Sequence, residues 1–471
     1  MYVCGPTVYG DAHIGNCRPV IVFDVLYRLL TYVGYKVTYM SNITDVDDKI
    51  INKAIEEGVS EGVIAERYIN RYLELRKDLN AINPTYMPRV TDNIENIVSF
   101  ISKLIELDYA YESNGDVFFR VNKVPGYGRL SNLNMDDLRT GARIEENSAK
   151  ENPMDFALWK KTEVGIKWDT PWCKGRPGWH TECVVMINAL YPDGLIDIHG
   201  GGFDLKFPHH ENEIAQSYAC CNTLLANVWM HNGYINMNNV KMSKSLGNIK
   251  SGREVVDKYG VNVTRWAVIS THYRAPINFS SEVMESATKE VNKIIEPLRQ
   301  ANIKLQLNNV ESKEVDNELI DKFVDTLLDD LNTSNAQTVV FEVTKLLNQS
   351  LRGRDLELLA KYYNTLKGYG LSDDEINQLY SSGYSLKEVE KVLTAEAEAE
   401  AEAQTKETVT SYDPSQAYSY NNFNAVPNMG FNNPYQMYPN FNTENIYEND
   451  VYYQQLFGAN PTTNPFKNFY I

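Results

Sequence analysis

Apolar positions along this chain follow two periods, and the switch between them outlines the elements. Tyr2-Val3 are β-formers halted by Cys4-Gly5-Pro6, which predicts a short buried strand ending in a thiol. A helical run opens after His13-Ile14-Gly15-Asn16, with Val20, Phe23, Asp24 and Tyr27 spaced along it. Lys36–Met40 reads as a second strand and Ser41–Asp45 as the loop at its carboxyl end. Strand, helix, strand in about 40 residues begins a parallel α/β sheet, whose ligands lie outside the strand carboxyl ends. From Asp47 to Leu107 the pattern is helical, with Asp47 and Asp48 read as helix N-terminal acids. Asn114-Gly115-Asp116 then turns into a strand at Val117–Val121. The turn-rich stretch to Pro171 has weak periodicity and predicts a smaller domain inserted between two halves of the sheet. The sheet resumes near Trp179, with a strand at Leu195–Ile198 ended by His199-Gly200-Gly201-Gly202. Nearly everything from Val255 to Gly370 is helical, as in a bundle stacked on an α/β domain.

The last stretch breaks the pattern. After an alternating Glu-Ala run from Ala395, residues 411–471 hold thirteen Asn, nine Tyr and six Phe without aliphatic periodicity. That composition cannot bury a core and predicts a disordered, self-associating tail. With 471 residues the chain has room for three or more domains. Its net charge of −17 argues against a general nucleic-acid coat, so any polyanion must meet a local basic surface. No apolar run reaches the roughly 18 residues of a membrane span, and no basic-then-apolar leader is present. Six dispersed cysteines form no disulfide framework and point to a reducing, cytoplasmic setting.

Two segments carry chemistry. If Pro208 opens a helix, His209 and Glu213 lie one turn apart on one face, close enough to share an ion. A solvated helix start with acids favoured by the dipole accounts for that segment equally well. Joined by Cys4 and Cys183, the pair would make a Cys₂-His-Glu set suited to Zn²⁺. Cys173, Cys220 and Cys221 lack a partner pattern and read as buried or inert thiols. The second segment, Lys241-Met242-Ser243-Lys244-Ser245, is a cationic loop able to clamp a polyphosphate. By itself such a lysine pair is more often solvated. The His13-Ile14-Gly15 turn, whose helix N-terminus suits an anion, shifts the balance toward a nucleotide site. There is no P-loop signature.

HIGN with KMSKS resembles the HIGH and KMSKS signatures of class I aminoacyl-tRNA synthetases. CGPTVYGDAHIGN, NITDVDDKI, NPMDFALWK, GRPGWHTEC, DIHGGGFDLKFPHHENEIAQS and KMSKSLGN together look like the cysteinyl-tRNA synthetase family, over Met1 to about Gly370. The resemblance implies a Rossmann-like parallel-sheet catalytic domain with an inserted connective domain, then an all-α helical bundle and the disordered tail. The expected boundaries are 1–95 and 176–250 for the catalytic halves and 96–175 for the insert. A stem-contact region follows at 251–290, an anticodon-binding bundle at 291–370 and the tail at 371–471.

The resemblance also assigns roles. Cys4, Cys183, His209 and Glu213 would hold one zinc, which the substrate cysteine joins through its thiolate. Gly5, Thr44, Trp179 and Asp204 would line the amino acid pocket. His13, Gly15 and Asn16 would face the ATP phosphates, and Lys244, helped by Lys241, would stabilise the departing pyrophosphate together with Mg²⁺. The implied activity is cysteine–tRNA ligation by a monomer, with L-cysteine, ATP and tRNA-Cys as partners and no membrane. Shape alone separates cysteine from serine only ~10–200-fold; a soft cation separates thiolate from alcohol far better, so no editing domain is required. A ligase of the same lineage acting on an amino sugar would keep every zinc and ATP residue, and a non-catalytic tRNA-binding paralogue is the alternative from another class. Three departures stand out. Asn16 replaces the second His of HIGH and can donate a hydrogen bond without the option of a charge. Family members carry residues ahead of this first strand, so the sheet edge is expected to suffer. The Asn/Tyr-rich tail does not match the family's small basic end.

Overall fold

The computed structural model of the chain describes residues 1–133, 149–237, 240–241 and 250–369. The tail and most of the KMSKS segment, including Lys244, lie outside the described residues.

β1 (Tyr2–Val3) leads into α1 (Ile14–Tyr32), which buries Ile14, Cys17, Ile21, Phe23 and Leu26. The strand expected at Lys36–Met40 is reduced to bridges at Met40, because β1 offers only two residues to pair with. Val3 N–H donates to Met40 O and Met40 N–H to Met1 O, both at 2.9 Å. β1 is therefore flanked on both sides. α2 (Asp48–Glu57) is capped by the Asp47 carboxylate, which accepts from the Lys49 N–H at 2.9 Å. The helical pattern expected through Leu107 is interrupted between α3 (Glu61–Asp78) and α4 (Ile94–Glu106). The first of these helices ends ahead of Asn80, which takes a left-handed φ of 50°; Pro84 and Pro88 keep the chain beyond it from resuming a helix, and it bridges Tyr86 to Met40 and Arg89 to Ile43 in parallel.

β2 (Ala110–Ser113) and β3 (Asp116–Phe119) form a hairpin over Asn114-Gly115. They join β4 (Phe156–Lys161), β5 (Trp168–Asp169) and β6 (Lys174–Pro177) in a five-stranded antiparallel sheet of order β2-β3-β4-β6-β5. The chain then returns through α5 (Glu182–Leu190), β7 (Ile196–Gly202), α6 (Glu211–Cys221) and β8 (Ala226–Asn232). β1, β7 and β8 pair in parallel with β7 central. β7 runs through His199–Gly202, where the glycines had been expected to end it. Gly200 serves packing instead: a Cβ there would lie 2.1 Å from the ring of Phe23 on α1. The helix expected at Pro208 starts later. Phe207–Pro208 is cis, residues Lys206–His210 form a wide turn, and regular α-helix begins at Glu211.

β9 (Ile235–Met237) pairs antiparallel with β10 (Val240–Lys241). The expected helical region holds α7 (Gly252–Tyr259), α8 (Val261–Ile269), α9 (Ser281–Leu307), α10 (Asn317–Leu328), α11 (Thr333–Leu351) and α12 (Leu356–Gly368). A strand the helical pattern hid, β11 (Ile277–Phe279), runs parallel to β9. Ile294 and Leu298 of α9, Val343 and Leu347 of α11, and Leu359 and Leu366 of α12 make the core of the helical part. Among the described residues, no helix is long and apolar enough to cross a membrane.

The contact between Gly200 and Phe23 fixes how α1 lies on the sheet. Gly200→Ala is expected to cost about 1–3 kcal/mol of stability by overpacking a buried ring, read as a lowered denaturation midpoint; an unchanged midpoint would contradict this packing.

Candidate active site

The carboxyl ends of the parallel strands meet the N-termini of α1, α5 and α6, and the polar residues collect there. Cys4 follows β1, Cys183 sits in the first turn of α5, His209 precedes α6 and Glu213 lies in its first turn. Their four ligand atoms all lie within 4.8 Å of one another. The two sulfurs are 3.9 Å apart, Cys183 Sγ is 3.6 Å from His209 Nε2, and His209 Nε2 is 2.8 Å from Glu213 Oε1. Cys4 is the half-buried member, so the group opens on its side.

The donor chemistry fits a metal ion. Bonds of about 2.3 Å from each sulfur would meet at about 116° across that 3.9 Å gap, near the tetrahedral value. Glu213 Oε1 and Oε2 lie 2.8 Å from imidazole nitrogens of His209 and His199, yet neither oxygen has a partner in hydrogen-bond alignment. Lone pairs that converge in a buried site without hydrogen bonds are arranged for a cation. A second set, Cys4, His199, His210 and Glu213, overlaps the first. The Cys4-Cys183-His209-Glu213 set has two sulfurs and is the better match to a soft or borderline ion.

Titration follows the same geometry. Burial alone would neutralise both partners of the His209–Glu213 pair, but mutual attraction overcomes it. Glu213 is held well below the usual carboxylate range, and His209 is raised to about 10. Burial pushes the Cys4 thiol up to about 11 and Cys183 well above its ordinary value. Protons on Cys4, Cys183 and His209 thus stand where a cation would.

Histidines surround this group. His209 Nδ1 is 3.0 Å from Nδ1 of His180, whose ring burial and the His209 charge keep neutral, with a pKa near about 3. In that contact His209 Nδ1–H donates to Nδ1 of the neutral His180 ring, which leaves His209 Nε2 facing Cys183 Sγ. His210 Nε2 lies 3.3 Å from Cys4 Sγ, and its Nδ1 is 2.8 Å from His231 Nε2. Trp179, 41% exposed, stacks on His209 with ring centroids 4.3 Å apart.

A hydrogen-bonded arc runs beside the sulfurs. Gly5 N–H donates to Asn42 Oδ1 at 2.8 Å, Asn42 Nδ2 donates to Thr44 Oγ1 at 3.3 Å, and Thr44 Oγ1 donates to Glu182 Oε2 at 2.7 Å. Gly5 is obligatory, since a Cβ there would fall 1.6 Å from the Asn42 carbonyl oxygen. Burial raises Glu182 to about 8, against the pull of the Thr44 hydrogen bond. Asp204 is exposed, in the short turn after β7.

The expected nucleotide residues gather at the start of α1. His13 N–H donates to Asn16 Oδ1 at 3.1 Å, so the Asn16 amide offers its N–H₂ outward. Ile14 N–H donates to Lys250 O at 3.0 Å and Gly252 N–H to Ala12 O at 2.9 Å. The chain leaving the KMSKS segment is therefore tied to the helix N-terminus that carries His13, Gly15 and Asn16. Lys241 occupies β10, opposite Asn236. Asn42, Glu182, His180, His199, His210 and His231 were not anticipated as site residues. Most of their contacts cross between elements, as far as 206 positions apart, and no local spacing signals that.

Comparison with known proteins agrees with this architecture. Residues 1–289 match the model of the class I (C) tRNA synthetase catalytic domain, and residues 322–371 match the DALR domain. The cysteine–tRNA ligase of Clostridioides difficile is 49% identical over 361 residues, covering 74% of this chain and 77% of that protein. The cysteine–tRNA ligase of Lachnoclostridium phytofermentans is 44% identical over 415 residues, covering 82% and 88%. The structure of Mycobacterium tuberculosis methionyl-tRNA synthetase in complex with methionyl-adenylate superposes with a TM-score of 0.57. At 14% identity, over 78% of this chain and 87% of that one, it shares the fold. By its catalytic-domain match and its identity to these relatives, the chain belongs to the cysteine–tRNA ligase family of class I tRNA synthetases.

Proposed function

We propose that this ATP-dependent ligase selects cysteine at a zinc ion held by Cys4, Cys183, His209 and Glu213, and activates it at the N-terminus of α1. The observation that carries the reading is the convergence of two sulfurs, an imidazole and a carboxylate within 4.8 Å of one another. Zinc, when bound, supplies a soft Lewis acid that prefers a thiolate to the hydroxyl of serine.

The chain's own residues do the rest. Trp179 stacks on His209 and walls the side-chain pocket. Thr44 already donates to Glu182 and accepts from Asn42, so its remaining lone pair accepts from the substrate ammonium. Asp204 adds negative charge for the same group. The substrate carboxylate attacks the α-phosphorus of ATP, the bond to the bridging oxygen breaks, and pyrophosphate leaves with that electron pair. His13, the backbone N–H groups at Gly15 and the Asn16 amide hold the phosphates, while Lys241 and Lys244 with Mg²⁺ neutralise the leaving charge. The tRNA 3′-terminal hydroxyl then attacks the acyl carbon and AMP departs. No covalent protein nucleophile is needed; catalysis is positioning and charge stabilisation. The helical region from 251 to 370 is read as the part that holds tRNA-Cys, the protein as a monomer, and its setting as the reducing cytoplasm, which suits six free cysteines.

Cys183→Ser is expected to lose bound zinc and to lower cysteine-dependent ATP–pyrophosphate exchange by more than about 100-fold, beyond the effect of perturbing a ligand's neighbour. Normal exchange in that variant would overturn the metal reading. Zinc uptake near neutrality should release one proton each from Cys4, Cys183 and His209, whose pKa values are raised in the metal-free site. The association constant therefore rises with pH, with a log–log slope of about three through neutrality. A slope near zero in a competitive-chelator titration would contradict this protonation.

A further inference from the structure

Among the described residues a second pair of cysteine sulfurs converges. α6 ends in Cys220-Cys221, whose Sγ atoms lie 3.0 Å apart. Both thiols are free and partly exposed. The Lys103 side chain is close enough to Cys220 for the thiolate to raise the pKa of its ammonium, and Asn188 Nδ2 lies 4.0 Å from Cys221 Sγ. The turn after them is well fixed. Asn222 caps the helix in the left-handed conformation, and the Thr223 hydroxyl bonds Ser217 at 2.7 Å and Gly194 O at 2.8 Å.

The separation of the sulfurs decides what the pair can hold. A direct disulfide is disfavoured, because consecutive Cα atoms are about 3.8 Å apart, inside the roughly 4.4–6.8 Å such a bond needs. A single atom bridging the sulfurs meets no such obstacle. Bonds of about 2.3 Å spanning 3.0 Å subtend about 80° at that atom. This is too acute for tetrahedral zinc and far from the linear two-sulfur geometry of monovalent copper or of mercury. It matches the nearly perpendicular bonds of a trivalent pnictogen. The Cys4–Cys183 pair, at 3.9 Å, has the opposite preference.

We propose that Cys220-Cys221 is a chelating dithiol for trivalent thiophilic metalloids, with arsenic(III) as the ligand that fits. With an organic arsine oxide the reaction balances as a condensation. Two S–H bonds and the As–O bonds break, two As–S bonds form, and the oxygen leaves as water with both thiol protons. Arsenic stays trivalent and no oxidant takes part. Burial and the neighbouring Cys220 push the Cys221 thiol up to about 11, so the first bond forms at Cys220, beside Lys103, and the ring closes on Cys221.

The test uses the zinc-loaded full chain and phenylarsine oxide. Intact-mass and peptide analysis should show one adduct per chain, less one water, on the peptide containing Cys220-Cys221. A 1,2-dithiol should remove it and a monothiol should not. In Cys220→Ser and Cys221→Ser the monothiol-resistant adduct should fall from one equivalent to none, whereas Cys173→Ser should keep it. Absence of an adduct, an adduct on Cys4 and Cys183 instead, or its persistence through a monothiol wash in either single variant would overturn the proposal.

Discussion

Four unlike side chains are held so close in a buried site that, without a cation, their lone pairs and protons crowd one another. This crowding is the constraint on which the architecture turns. Cys4 is delivered by the end of β1, Cys183 by the start of α5, and His209 and Glu213 by the turn into α6. None of these elements contributes more than two donors, so the site exists only when the parallel sheet has assembled. Burial taxes each charged form, and the raised thiols and the His209–Glu213 attraction are two answers to the same shortage of positive charge.

The nucleotide side is built from a different device. Backbone hydrogen bonds tie Ala12–Ile14 to Lys250–Gly252, so the helix N-terminus that suits phosphate is physically joined to the chain emerging from the lysine loop. The arc from Gly5 through Asn42 and Thr44 to Glu182 links residues next to Cys4 and Cys183, two of the proposed metal ligands. It sets the Thr44 hydroxyl in one orientation. In the proposed reading, selection and activation share a frame without sharing a residue.

Much of this was legible in the sequence, for reasons that can be named. His209 and Glu213 are one helical turn apart, so local periodicity alone brought them together. Cys4 and Cys183 are separated by 179 positions, so no local spacing joins them to that pair; donor chemistry suggested the set and the family resemblance assigned it. Glu182 and the surrounding histidines stayed hidden because their roles come from contacts across elements. The antiparallel insert left a weak trace because β5 has only two residues and the turns outweigh the strands. The end of β7 was misread because glycine usually punctuates a strand, whereas Gly200 makes room for Phe23.

X-ray absorption at the zinc edge of the purified protein tests the central claim most directly. Two sulfur scatterers at about 2.3 Å with two nitrogen or oxygen scatterers at about 2.0 Å are predicted, with a third sulfur appearing when cysteine is added. A shell of nitrogen and oxygen alone, or one that cysteine leaves unchanged, would contradict it.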